Sequence, residues 1–281
     1  MNPIFHFILF GSVLSALTGV EFTVGDPTKD TRSPLPSRET LSLDQGWRFH
    51  LGDILPTDFK ANGDEAEGGA KGGAAWGAAA PQLDDREWRT LDLPHDWVIE
   101  QPFDSNAVRN QGYRLRGIGW YRRQFKLDPS DCGKHLELQF DGVSTHCTVW
   151  FNGTPVHRNG CGYSSFSIDL TPFARYSEDL NMIAVRVDTN DMEGWWYEEG
   201  GIYRHTWLVK RSPVHIVTDG VYANPVWSAN RSWKIPIEVT LENSGNASST
   251  ANVAVTLADP NGKKIAEGRA VATLSPGVKR W

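Results

Sequence analysis

With 281 residues, the chain is long enough for two domains and for a sizeable core. A formal net charge of −6 excludes the clustered cations that a nucleic-acid or anionic-membrane partner requires, so neither partner is expected. Hydrophobic residues make up 40% and charged residues 22%, and 27 Gly, 16 Pro and 12 Trp suit an all-β, loop-rich protein better than a helical one.

The first 20 residues, MNPIFHFILFGSVLSALTGV, carry no Asp, Glu, Lys or Arg and are largely apolar from Ile4 to Leu17. That run is too short for a membrane span and ends in small residues near Ala16 to Gly19, so it reads as a signal peptide and the protein is expected to be secreted or exported. No Lys or Arg stands near Met1, and the competing reading is a strand or helix buried in the fold. Residues 21–40 are polar and proline-bearing and read as a linker, with the ordered domain expected over 41–211.

LSLDQGWRFH (41–50) reads as a first strand, and the Gly/Ala-rich stretch 60–82 reads as a surface loop because it offers too little side-chain area to bury. From Trp88 the pattern has period two. Tyr121, Arg123 and Phe125 alternate with Arg122, Gln124 and Lys126; Leu136, Leu138 and Phe140 with Glu137, Gln139 and Asp141; Ile183, Val185 and Val187 with Ala184, Arg186 and Asp188. This is the signature of half-buried antiparallel strands. Asn152-Gly153 marks a two-residue hairpin turn, because both positions must accept positive φ. No stretch shows sustained helical periodicity, so the architecture is a β-sandwich.

A second unit is expected over 212–281. Val214/Ile216, then Trp233 to Leu241, then Ala251 to Leu257, then a strand near 265–273 after an Asp259–Gly262 turn, give four short strands spaced like those of an immunoglobulin-like sandwich. Such a sandwich has about seven strands, so this one is expected to be partial.

Cys132, Cys147 and Cys161 are odd in number, which leaves at least one thiol outside any intrachain disulfide. No metal-ligand spacing or cofactor motif appears; Gly117-Ile-Gly119 leads directly into a strand and makes no phosphate cradle. Asn152, Asn230 and Asn246 head glycosylation acceptor triplets, which matter only in a eukaryotic host. His95-Asp96-Trp97 lacks a positioned nucleophile and reads as a structural corner.

The densest chemistry is GWWYEEGGIYRHTWL at 194–208. A pyranose presents one apolar C–H face and a rim of hydroxyls, so aromatic plates beside carboxylates are its natural complement. Trp195, Trp196, Tyr197, Glu198 and Glu199 supply both within five residues, although the aromatics have packing as an alternative role. Glu198 and Glu199 are not expected to be a catalytic pair, because neighbours on an extended chain point to opposite sides and cannot flank one bond.

Together with LDLPHDWVIE (91–100), GYRLRGIGWYRRQF (112–125) and LQFDGVSTHCTVWFNGTPVHRNGCGYSSFSIDLTPF (138–173), this stretch resembles the N-terminal sugar-binding domain of glycoside hydrolase family 2, in its β-galactosidase-like branch, over roughly 41–212. The resemblance implies a galactose-binding-like jelly roll followed by the immunoglobulin-like sandwich. It also implies a parent enzyme that hydrolyses β-linked glycosides with retention, using two glutamates on a later (β/α)8 barrel, about 5 to 5.5 Å apart. The 281 residues stop before such a barrel, so the chain is expected to hold no catalytic residue and to have the barrel and a β-linked carbohydrate as partners.

In the family, an amide and an acid of this domain reach the rim of the barrel's site. The first position falls at Arg116, which is not an amide, and the second near Trp195 to Glu199. Galactoside, glucuronide and mannoside substrates stay open. A stand-alone secreted carbohydrate-binding protein and a purely structural sandwich are the alternatives.

Overall fold

The computed structural model describes residues 38–54, 77–176, 179–227 and 232–277, and the backbone of 5–10. In chain order the strands are β1 (Phe5–Phe10), β2 (Arg38–Ser42), β3 (Trp47–Leu51), β4 (Arg89–Leu91), β5 (Ile118–Phe125), β6 (His135–Phe140), β7 (His146–Phe151) and β8 (Thr154–Asn159). They continue as β9 (Phe166–Asp169), β10 (Asn181–Asp188), β11 (Thr206–Arg211), β12 (Val214–Ala223), β13 (Val226–Trp227), β14 (Trp233–Asn243), β15 (Ser249–Ala258) and β16 (Lys264–Leu274). One short helix, α1 (Trp97–Glu100), lies between β4 and β5.

The chain divides into two compact units, one of Arg38–Lys210 and one of Arg211 onward together with the N-terminal strand. In the first, a six-stranded sheet ordered β4-β3-β5-β10-β7-β8 faces a four-stranded sheet ordered β2-β11-β6-β9. Successive side chains on a strand point to opposite faces, so every second residue enters the layer between the sheets. Trp47, Tyr121, Leu138, Phe140, Phe151 and Ile183 do so and are fully buried in one cluster. Each such side chain contributes about 1.5–3 kcal/mol relative to exposure.

The six-stranded sheet departs from simple alternation, because its outer face is also partly covered. Ala78 and Ala79 pack with Trp120, Trp150, Met182 and Ala184, while Arg122 is fully buried with its Nε 3.2 Å from Asp85. Residues 77–82, expected as the end of a surface loop, therefore include a second small core, where alanine lets the backbone approach closely. Residues 60–76 of that stretch lie outside the described residues.

LSLDQGWRFH is not one strand. It breaks at Asp44–Gly46, where Gly46 adopts φ +75°, and its halves enter different sheets as β2 and β3. Arg38–Thr40, expected as linker, already belong to β2. Asn152 and Gly153 form the β7–β8 hairpin turn at φ +53° and +84°. The Asn152 amide donates to Phe173 O (2.9 Å) and Asn181 Oδ1 (3.0 Å), so both N–H groups of this acceptor triplet are engaged.

In the second unit β14 pairs with β12 across a bulge between Ile216 and Val221, with β13, and with β1 in the register Phe5↔Val239 to Phe10↔Lys234. β15 and β16 form a hairpin over a turn whose Asp259 carboxylate accepts from the Asn261 and Lys263 amides. The four expected strands are present and longer than expected, at 10 or 11 residues each. Ile237, Val239 and Val253 make the core. Residues 1–4 and 11–20 of the expected leader, 21–37 of the linker and Asn230 lie outside the described residues; Asn246 is exposed in the turn between β14 and β15. All three cysteines are free thiols, and burial pushes the Cys147 thiol up to about 12.

Candidate functional site

The segment joining β10 to β11 carries the aromatic and acidic residues, and its position is set from below by α1. Asp96 caps that helix, its Oδ1 accepting from Val98 N (2.9 Å) and Ile99 N (3.4 Å). The same oxygen accepts from Gly200 N (2.9 Å), and Oδ2 accepts from the Tyr197 hydroxyl (2.7 Å). One carboxylate thus satisfies orphan helix N–H groups and anchors the loop. Backbone bonds from His95 N to Ile202 O (2.8 Å) and from Trp97 N to Gly200 O (2.9 Å) run alongside.

The Gly200-Gly201 pair is required by this close approach. A Cβ at Gly200 would lie 2.2 Å from Val98 Cγ2, and one at Gly201, where φ is +132°, would lie 2.3 Å from the Tyr121 hydroxyl. His95, in the same corner, is buried with Nδ1 2.7 Å from the Tyr121 hydroxyl, and burial lowers its pKa against the opposing pull of Glu100.

Arg116 sits in the turn before β5 with only 8% of its side chain exposed. Its Nε donates to Thr189 O (2.5 Å), one terminal nitrogen to Gln111 Oε1 (2.8 Å) and Glu198 O (2.9 Å), and the other to Thr145 Oγ1 (3.1 Å) while lying 3.6 Å from Glu198 Oε2. A guanidinium has five N–H donors, and five acceptors surround this one. Desolvation lowers the Arg116 pKa, and the charge of Glu198 opposes the shift.

Glu198 is 1% exposed; its Oε1 accepts from Glu193 N (2.8 Å) and its amide donates to Gln111 Oε1 (2.9 Å). Arg116 and Glu198, expected to touch substrate, are therefore an internal strut with their polar groups turned inward. Consecutive positions in the loop diverge, and only the second carboxylate of the pair remains accessible.

The outer half of the loop differs in every respect. Trp195 is 87% exposed and makes no ring contact or hydrogen bond among the described residues. Trp196, 58% exposed, donates its indole N–H to the Tyr163 hydroxyl (2.8 Å). Glu199 is half-buried and accepts no hydrogen bond among the described residues, yet its charge helps raise the pKa of Tyr163, Tyr197 and Tyr203, behind the larger effect of burial. Tyr197 lies between the halves: half-buried against the core and bonded to Asp96, its hydroxyl titrates well above the ordinary tyrosine range, through burial first and that bond second. Arg204 turns away from both glutamates, donating to Asp141 O (3.4 Å) and lying over the Tyr203 ring.

Asp96, Gln111, Thr145 and Tyr163 are not among the site residues expected from sequence. Asp96 carried a readable signal, a capping residue directly ahead of a helical turn; Tyr163 carried none, since its partner is 33 positions away. A concavity of about 390 Å³ lies on the outer face of the six-stranded sheet, lined by His146, Thr148, Arg158, Arg186 and Asp188 among others. Arg186 is already paired with Asp53 (2.8 Å) and Asp188 (3.3 Å), and no aromatic wall is present for a sugar ring. Among the described residues no group of three or more His, Cys, Asp or Glu is placed to hold a metal ion, and no helix is long and apolar enough to cross a membrane.

Residues 79–212 match the family model described as glycosyl hydrolases family 2, sugar binding domain. A β-galactosidase of Bacteroides ovatus, BoGH2A, is 35% identical over 85% of this chain and 26% of its own length. A β-glucuronidase of Formosa agariphila is 27% identical over 69% of this chain and 22% of its own length. The crystal structure of a family 2 member from Bacteroides cellulosilyticus superposes with a TM-score of 0.69 at 31% identity, covering 84% of this chain and 29% of that one. The chain thus spans about a quarter of the length of these relatives.

Proposed function

The chain belongs, through residues 79–212, to glycoside hydrolase family 2 as a carrier of its sugar-binding domain, and on that premise we propose that it is the non-catalytic, carbohydrate-recognising portion of a retaining β-glycosidase of the β-galactosidase-like kind. The observation that carries this reading is the outer half of the loop: two exposed tryptophans and an unbonded carboxylate on one short segment anchored from below, with the Tyr163 hydroxyl brought alongside from the β8–β9 connection. Aromatic faces take the apolar face of a pyranose, and Glu199 and Tyr163 are suited to its hydroxyl rim.

Retaining hydrolysis needs an acid/base and a nucleophile on either side of the bond. Glu198 is buried beside Arg116 and only Glu199 of the two adjacent glutamates stays accessible, so they do not form that pair, and the catalytic pair belongs to a barrel partner. The apolar composition of the first 20 residues supports export, while the pairing of β1 within them with β14 supports the competing reading as a strand of the fold. Relatives named for galactosides and for glucuronides leave the glycone class at β-linked pyranosides.

The purified chain should bind a β-linked glycoside weakly, with millimolar dissociation constants, and should not turn one over. Robust hydrolysis of a nitrophenyl β-galactoside by pure chain would overturn the non-catalytic assignment.

A further inference from the structure

Trp195 and Trp196 are adjacent and both exposed, but only one is oriented. The indole of Trp196 lies against the backbone of Gly194, where an added Cβ would come within 2.6 Å of ring atoms Cε2 and Cζ2 and 2.9 Å of Cδ2. Its N–H edge is held at 2.8 Å by the hydroxyl of Tyr163, a residue between β8 and β9. One ring face is thus supported by glycine, the polar edge is tied to a second loop, and 58% of the residue still faces solvent.

Because Trp196 donates, Tyr163 accepts, and the hydroxyl proton of Tyr163 has no acceptor among the described residues; at 40% exposure it is available to a ligand. The Glu199 carboxylate, three residues beyond Trp196 on the same segment and without a hydrogen bond among the described residues, adds an acceptor. A fixed apolar plate with a donor at its edge matches a pyranose ring, whose C–H face and hydroxyls are presented together. Trp195, at 87% exposure, must lose its rotational freedom before it can contribute.

We propose that Trp196 is a preorganised stacking plate for a β-linked pyranose, with Gly194 and Tyr163 as its positioning residues, and that Trp195 contributes little to affinity. This rests on the reading of the loop as sugar-binding. Gly194→Ala is the sharpest perturbation, because the new methyl group displaces the ring without removing any atom that would touch sugar. Tyr163→Phe removes the hydroxyl that holds the indole edge.

The experiment titrates the full chain with methyl β-D-galactopyranoside and, separately, methyl β-D-glucuronide, following nuclear magnetic resonance shifts, with the melting temperature recorded alongside. For whichever glycoside binds, Trp196→Ala should weaken affinity at least tenfold, Gly194→Ala and Tyr163→Phe three- to tenfold, and Trp195→Ala less than threefold. The indole N–H signal of Trp196 should move in Tyr163→Phe before any sugar is added, which a role in folding alone would not require. If the unaltered chain binds neither glycoside, the sugar-binding reading falls and this inference with it. If it binds and Trp196→Ala binds equally well, or Trp195→Ala is the more damaging change, the plate assignment alone is overturned.

Discussion

Glu198 and Glu199 are neighbours in the chain with opposite surroundings: the first is buried against Arg116 and Glu193 N, the second accepts no hydrogen bond among the described residues. The same division runs through the whole loop, with Arg116, Gln111 and Asp96 holding an inner half and Trp195, Trp196 and Glu199 forming an outer half. What differs is what each residue type can do once solvated or desolvated. A buried ion pair fixes geometry and is costly to break singly. An exposed carboxylate and aromatic add little stability and are free to meet a ligand.

The largest effect should come from breaking the inner strut. Removing either Arg116 or Glu198 leaves the other charged and buried, at about 3–5 kcal/mol. Arg116→Ala and Glu198→Ala should therefore lower the melting temperature by roughly 10 °C. A shift below about 2 °C in both variants would erase the distinction between the two halves.

Tyr197→Phe should cost about 1 kcal/mol by removing the donor to Asp96 Oδ2. It also tests a pH dependence. The folded pKa of Tyr197 is raised, so the stability it contributes is fully present below the unfolded value of about 10 and lost as pH rises above it. Chemical denaturation between pH 9 and 11 should show a shallower alkaline loss for Tyr197→Phe than for the parent; parallel curves would remove Tyr197 from the strut.

His95 acts at the other end of the pH range. Its folded pKa is depressed by burial, so its contribution is present above about pH 6.5 and lost as pH falls, because the unfolded state takes up the proton first. His50 and His157 shift in the same direction and add to the slope. His95→Gln should flatten the acid limb partially, and an unchanged limb would mean that His95 is not part of the corner's stability.

The smallest change in stability belongs to Glu199→Gln, within about 0.5 kcal/mol of the parent. Its sugar affinity should fall several-fold, the scale of one lost charged hydrogen bond. A clear stability loss with unchanged affinity would move Glu199 to the inner half.

Much of the first unit was legible in the sequence because period-two patterning is local. Leu136/Leu138/Phe140 and Ile183/Val185/Val187 enter the core as the alternation indicates, and Asn152-Gly153 turns where two positive φ values are needed. Burial from a distance left no such trace. Arg122 reads as a solvent-facing strand residue, yet residues from 78 to 88 come back over it. The GWWYEEGG composition marked the loop, but which of its residues face inward depends on Gln111, Thr145 and Thr189, brought to Arg116 by three separate parts of the chain.

The division into a load-carrying inner half and a ligand-facing outer half is tested most directly by mapping a β-glycoside titration onto the assigned amide and indole signals of the full chain. The largest shifts should fall on the Trp196 indole N–H and on the backbone of Gly194 to Trp196 and of Glu199, with Arg116 and Glu198 nearly unmoved. Largest shifts in the His146–Arg158–Asp188 cleft, or none anywhere up to saturating glycoside, would contradict the assignment of this loop to carbohydrate.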